Sequence, residues 1–365
     1  MRILMPQRFD VLGRSMDSNI VTQWLALEAA CDAVLWGPGL DGYVAGMTLD
    51  EVAEHVDADV VLLPDFHHAV PGLWSELWAG AERCRRPVVW HLVDYLSAVE
   101  QRRAVWERIR PAAVLTCYAP SGLVDYADLL ERHGTSVLTV PWGYDADLFR
   151  PAAPESERDI DVLVSGADDH WCYEIRRRIK TAARSLAGEF RVLDLGHPGY
   201  WESTGVVLGR GQAQYGDLLR RSRLATTATG GAALMRKYWE AAGCGAIGVG
   251  DLPPDQPDSD RFADAMLQVD PSWEVDRIGY EMRRLLLDRD RCRALSRQAP
   301  EAVRGCDHRE RAHDYVEALR AVALAGTRAR RPRPFAPPAP FLKLCVAAEP
   351  AAVPSVRPGW IDAWT

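Results

Sequence analysis

Lysine is nearly missing from this chain of 365 residues: only Lys180, Lys237 and Lys343 occur, and arginine carries the other positive charges. This fits the codon bias of a GC-rich genome and points to no function. Positive charge is not in excess either, because 51 acidic against 43 basic residues leave a formal charge of −8. Proteins that track phosphate backbones usually display a net basic face, so nucleic acid is not an expected partner. No stretch approaches the ~18 apolar residues of a membrane span. The start, MRILMPQRFD, lacks the long apolar core and small-residue cleavage site of a signal peptide. The eight cysteines lie far apart without a C-x-x-C pair, which removes the usual signal for zinc or a redox dithiol. Reduced thiols in a cytoplasmic protein are the expectation.

What is present is rhythm. Short apolar, β-branched runs alternate with longer helical patterns: Ile3 to Met5, Ala33 to Trp36, Val60 to Leu63, Val88 to Leu92, Val114 to Thr116 and Val137 to Val140. A Pro- and charge-rich stretch, PAAPESERD at 151–159, interrupts the pattern and reads as a linker. The rhythm then resumes with Ile160 to Val164, Arg191 to Leu195, Leu224 to Thr227, Ala246 to Val249 and Met266 to Val269. Such alternation predicts parallel sheets covered by helices, in an α/β protein of two Rossmann-like domains over 1–150 and 151–326. From residue 327 the composition changes to a Pro- and Arg-rich tail, RARRPRPFAPPAPF and beyond.

Ligands of open α/β sheets sit beyond the carboxyl ends of the strands, so the residues following each run are candidates: Asp94, Gly166 to His170, Gly230 and Gly231 among them. Each also suits an ordinary βα turn. The richest segment is LATTATGGAALMRKYWEAAGCGAIGVGDLP, Leu224 to Pro253. It predicts a strand to Thr227, a turn at Gly230-Gly231, a helix from about Ala232 to Ala242 and a stop at Gly243. Glycines before a helix leave its N–H groups open to an anion such as a diphosphate. Arg236 and Glu240 are four apart and share a helix face, with Lys237 beside them. An Arg fork suits phosphate oxygens and a carboxylate suits vicinal hydroxyls, so the helix could hold a nucleotide's diphosphate and ribose; an ordinary surface ion pair has the same spacing.

Three segments resemble the GT-B glycosyltransferases, especially the family 4-like group and the related CgeB-like proteins. MRKYWEAAGCGA is similar to their R-x-F-E-A-x-A-x-G-A donor helix, on Arg236, Trp239, Glu240, Ala241, Gly243, Gly245 and Ala246. VPWGYDADLFRP resembles P-x-G-x-D-x-x-x-F-x-P, on Pro141, Gly143, Asp145, Phe149 and Pro151, and GQAQYGDLLRRS resembles a Gly-then-helix segment, on Gly211, Tyr215, Leu218, Leu219 and Ser222. The resemblance implies two domains facing a cleft, a nucleotide-sugar co-substrate rather than a cofactor, no metal, and Glu240 on the ribose hydroxyls. It also implies sugar transfer with retention to an acceptor that the sequence does not identify.

The match departs from the family at two places. Family 4 enzymes place a first Glu eight positions before the second, where this chain has Ala232, and the loop after the first strand of the second domain, SGADDHWCYEIRRRIK, leaves the diphosphate to Arg176 or Lys180. A solvated helix residue is an equally good reading of either. In the first half, PVVWHLVDY resembles the segment that presents a histidine to the donor sugar, making His91 and Asp94 the catalytic candidates. A hydrogen-bonded buried imidazole is as good a reading of His91. A noncatalytic sugar-nucleotide-binding protein, or an epimerase or phosphorylase on the same fold, is the alternative.

Overall fold

The computed structural model describes residues 1–7, 18–64, 77–93, 95–96, 98–151, 158–168, 171–196, 210–230 and 233–328. Asp94, Gly231, Ala232, the histidines at 67, 68 and 170, Asp169, most of the expected linker and the tail from 329 lie outside them.

The described elements run β1 (Arg2–Pro6), α1 (Ser18–Ala30), β2 (Asp32–Trp36), α2 (Leu49–His55), β3 (Val60–Leu63), β4 (Val88–His91), α3 (Val99–Ile109), β5 (Ala113–Thr116), α4 (Ala127–His133) and β6 (Ser136–Thr139). They continue with β7 (Ile160–Val164), α5 (Glu174–Ser185), β8 (Val192–Asp194), α6 (Arg210–Arg220), β9 (Ser222–Thr226), α7 (Lys237–Gly243), β10 (Ile247–Gly250), α8 (Ser259–Phe262), β11 (Met266–Gln268), α9 (Val275–Leu287), α10 (Arg289–Ala302) and α11 (His308–Arg328). Every apolar run named from the sequence overlaps one of these strands and reaches no more than a residue beyond it at either end. They form a six-stranded sheet, β2-β1-β3-β4-β5-β6, and a five-stranded sheet, β11-β10-β9-β7-β8. Every strand pair in both is parallel. The α/β class expected from the alternating pattern is therefore the one observed.

Two compact units result. Among the described residues one comprises 1–7, 24–140 and 312–328, and the other 18–23 and 141–311. In the first, β3, β4 and β5 are buried along their whole length, as strands covered on both faces must be, which is why they read as unbroken apolar runs. In the second, Val162, Val164, Leu224, Ile247 and Val249 of the sheet pack with Ile179 and Ala182 of α5 and with Ile278, Met282 and Leu285 of α9. Each Val, Leu, Ile or Met among them contributes roughly 1.5–3 kcal/mol by leaving water.

The P-x-G-x-D-x-x-x-F segment is a structural clasp within the second unit. The Asp145 carboxylate accepts from the N–H groups of Asp147 and Leu148 at 3.0 and 3.2 Å, closing a turn. Tyr144 bridges to Asp307, and Gly143 lies so near the chain that a Cβ there would stand 2.9 Å from His308 Nδ1 and 3.2 Å from the Cys306 carbonyl oxygen. Phe149 is buried beside Tyr215.

Candidate functional site: the switch point of the second sheet

From β7 the chain passes to β8 on one side of the sheet and then back to β9 on the other. The segments leaving β7 and β9 therefore diverge, and beyond the carboxyl ends of two such strands an open α/β sheet leaves a crevice for ligand. The residues at that point are Ser165 to Asp168 after β7 and Thr227 to Gly230 after β9. They are joined across the strands, since Ser165 N–H donates to Thr226 Oγ1 at 3.1 Å.

Gly166 is the centre of the arrangement. Its φ of +91° is left-handed backbone, and a Cβ there would stand 2.5 Å from Lys237 Nζ and 3.8 Å from Arg176 Nη1. Its carbonyl oxygen accepts from Lys180 Nζ at 2.7 Å. Three cationic side chains thus converge on one glycine. Two of them come from α5, whose strongly amphipathic sequence buries Ile175, Ile179, Ala182 and Ala183 in the core. Arg176 and Lys180, four apart, share a helix face and lean toward the strand ends. Both are buried.

Each cation is held. Arg176 donates to the carbonyl oxygens of Ala167 and Ala228, both at 3.0 Å, tying the two diverging segments together, and its guanidinium carbon sits 4.0 Å from the centre of the Tyr173 ring. Lys180 pairs with Asp168 at 2.8 Å. Burial pushes the Asp168 carboxyl up, but the hydrogen bond from Lys180 and the charges of Lys180, Arg184 and Arg176 outweigh it and leave it below the ordinary carboxylate value. Lys237, at the start of α7, donates to Ser165 Oγ at 2.9 Å, and that hydroxyl lies 3.2 Å from the Tyr215 hydroxyl. Burial, then the charge of Arg176, lowers the Lys237 ammonium to about 7; Glu240 opposes the shift and Lys180 adds to it. Burial and the Glu240 charge push the Tyr215 phenol up. Glu240 is only 7% exposed and electrostatically coupled to both.

The turn after β9 is built differently from the expectation. Gly230 and Ala233 form an antiparallel bridge with reciprocal N–H···O=C bonds of 3.1 Å, and the helix begins at Lys237 instead of near Ala232. Residues committed to that bridge have no backbone groups left for a helical turn. Arg236 occupies the N-cap position; Glu240 N–H still donates to the Arg236 carbonyl at 3.1 Å, which preserves the four-residue relation. The helix stop also differs: Gly243 is the last helical residue, and the left-handed position is Gly245, at φ +72°. Gly243 serves close packing, because a Cβ there would lie 2.5 Å from the Phe149 carbonyl oxygen and 2.7 Å from the Tyr144 ring.

Gly230 joins the cluster through Tyr173, whose ring would stand 2.8 Å from a Cβ at that position. Arg236 faces Trp142, with its guanidinium carbon 5.2 Å from the ring centre. Burial, then the charge of Arg236, lowers His308 to about 3. One contributor went unnoticed in the sequence. Asp251, immediately after β10, accepts from Thr229 N–H at 2.9 Å and from Thr229 Oγ1 at 2.6 Å, while its own carbonyl accepts from Tyr238 OH at 2.7 Å. It fixes the residue preceding Gly230, and its position at a strand end was the available signal.

The histidine of the first unit is in another setting. His91, the last residue of β4, is 4% exposed. Its Nε2 shares a 3.0 Å hydrogen bond with Tyr315 OH, and Trp24 meets its ring edge-on at 5.0 Å between centres. Burial lowers it to about 3. In this structure it is a buried imidazole with a tyrosine hydroxyl as partner. Among the described residues no three His, Cys, Asp or Glu side chains gather as they would around a metal ion, and no helix is long and apolar enough to cross a membrane.

Solved structures resemble this architecture along nearly its whole length. HepE of Anabaena, in complex with UDP and glucose, is 15% identical with a TM-score of 0.56, over 88% of this chain and 100% of that one. Trehalose 6-phosphate synthase of Burkholderia multivorans is 12% identical with a TM-score of 0.56, over 92% and 99%. Sucrose-phosphate synthase of Thermosynechococcus elongatus is 14% identical with a TM-score of 0.50, over 89% and 100%. The fold is that of the GT-B glycosyltransferases. Identities this low establish the fold alone. Comparison of the sequence with known family profiles found no match, and a search of the curated proteins likewise found none.

Proposed function

We propose that the protein is a glycosyltransferase that binds a nucleotide-sugar donor at the switch point of its second sheet and moves the sugar to an acceptor. The observation that carries this reading is the convergence of Arg176, Lys180 and Lys237 on Gly166, where a left-handed glycine without a side chain lets the Lys237 amino group approach the backbone. Cations so placed, with Arg176 and Lys180 buried, favour a ligand of concentrated negative charge, such as a diphosphate. Support comes from HepE, whose structures hold UDP, UDP with glucose, and UDP-glucose.

In this reading the anomeric C–O bond of the donor breaks, positive charge grows on the sugar and negative charge on the departing diphosphate. Arg176, Lys180 and Lys237 neutralise that growing charge as fixed donors that act without reorganising. Glu240 accepts from the ribose hydroxyls. By its resemblance to family 4 the reaction retains the anomeric configuration and needs neither a metal nor a strong general base. His91, engaged by Tyr315, is assigned no step.

Titration calorimetry with UDP-, GDP- and dTDP-sugars tests the binding, followed by chromatography of the nucleotide released in the presence and absence of acceptor sugars. Saturable binding with release of the nucleoside diphosphate is expected. Binding without any turnover would favour a noncatalytic sugar-nucleotide-binding protein, which the Ala at 232 in place of the family's first Glu also suits. No binding of any of the three would refute the assignment.

A further inference from the structure

Lys237 is an odd lysine for a phosphate site. It is half-buried, and the acceptor its amino group reaches is the neutral hydroxyl of Ser165 at 2.9 Å. The groups that face it pull in opposite directions. From α5 come Arg176 and Lys180; from α6 comes Tyr215, with Lys237 Nζ 5.6 Å from its ring centre; from the end of β7 come Ser165 and Asp168, the latter committed to Lys180; and on its own helix stands Glu240. Lys237 Nζ and Arg176 Nη1 both approach the position a Gly166 Cβ would occupy, at 2.5 and 3.8 Å. They are therefore within roughly 6 Å of each other, the range in which a like charge disfavours the charged form. Two cations and burial oppose the ammonium, and one carboxylate favours it.

A bound diphosphate reverses that balance, since it brings more negative charge to the same point than Glu240 supplies. The terminal phosphate of a free nucleoside diphosphate carries one more negative charge than the same phosphate esterified to a sugar. We propose that Lys237 is the charge-responsive specificity residue of this site: unprotonated in the unliganded protein, it takes a proton from solvent when a nucleoside diphosphate binds, so that the site prefers the leaving group to the intact donor. In the step, a buffer acid or hydronium loses its proton and the lone pair on Nζ accepts it; no other bond changes. The depressed ammonium described above is in keeping with this. The inference rests on the donor-site reading and gives Lys237 a role beyond binding: as the sugar departs and charge builds on the diphosphate, this side chain becomes able to match it.

The test is titration calorimetry of the full chain with UDP, GDP and dTDP at pH 8, in phosphate, HEPES and Tris, whose ionisation enthalpies differ. Expected is an apparent enthalpy that varies linearly with buffer ionisation enthalpy, with a slope near one proton taken up per ligand. The slope should fall toward zero at pH 5.5, where the ammonium is already formed. Lys237→Arg, always charged, should bind without proton uptake. Lys237→Met should also lose the uptake, bind the diphosphate at least tenfold more weakly, and narrow the preference for UDP over UDP-glucose at least fivefold. Binding with no proton uptake at pH 8, or uptake that persists in Lys237→Met, would overturn the inference and leave the donor site standing. Failure of the wild-type chain to bind any of the three diphosphates would overturn both.

Discussion

Replacing Gly166 by alanine should separate two costs that the structure places on one residue. The first is conformational: at φ +91° an L residue meets left-handed strain of about 1–2 kcal/mol. The second is steric: the added Cβ would lie 2.5 Å from Lys237 Nζ, so the amino group must swing aside and give up Ser165 Oγ. A lost hydrogen bond of this kind costs roughly 1 kcal/mol. The sum, about 2–3 kcal/mol, corresponds to a fall in Tm of roughly 5–10 °C for a unit of this size. Thermal unfolding followed by circular dichroism measures it. In a Lys237→Ala background the steric part is gone, and Gly166→Ala should cost only the conformational part, a coupling of about 1 kcal/mol in the double-mutant cycle. Equal penalties in the two backgrounds would show that Gly166 does not make room for Lys237. No penalty in either would show that the left-handed backbone is not required.

Other outcomes follow from the same geometry. Glu240→Gln keeps the shape of a side chain that is nearly inaccessible and removes its charge; donor affinity should fall by about 1.5–3 kcal/mol, roughly ten- to hundredfold, with thermal stability unchanged, and calorimetry showing unaltered affinity would make α7 a purely structural helix. Gly243→Ala drives a Cβ against the Phe149 carbonyl and the Tyr144 ring, so it should lower stability by roughly 1–3 kcal/mol in thermal unfolding while the remaining folded protein binds nucleotide as before. His91 and His308, both held near 3, stay neutral in the folded chain over a range where the unfolded chain protonates at about 6.5. The unfolded state then binds more protons, so stability is present above about pH 6.5 and is lost as pH falls toward 3; urea titrations should show a slope of up to roughly 2.7 kcal/mol per pH unit, reduced by half in His91→Phe.

The positions of the strands were legible because both sheets are parallel and covered, so each strand had to be a short apolar run with turn residues beyond it. The start of α7 was not, because the bridge between Gly230 and Ala233 uses backbone groups that no side-chain period reports. Gly166, Arg176 and Lys237 were named from separate cues in the sequence; that they meet depends on β7 and β9 being neighbours, a fact of strand order. Asp251 and Thr229 lie in segments 22 residues apart and are paired only by the adjacency of β9 and β10, so their bond could not be read from spacing. His91 was expected either to face a substrate or to be a hydrogen-bonded core imidazole. Its partner, Tyr315, comes from a helix 224 residues further on and is beyond any local pattern.

That distance has a consequence for biosynthesis. The first unit contains residues 312–328, and Tyr315 of that segment supplies the partner of His91 and packs on Trp24. A nascent chain carrying everything up to the end of β6 still lacks one layer of this unit's interior, and it must wait through the translation of the whole second unit to obtain it. At about 5–20 residues per second the wait is on the order of ten seconds or more. During that time the faces of Trp24 and His91 destined for Tyr315 stand open on the ribosome, so the half of the protein that is made first is completed last.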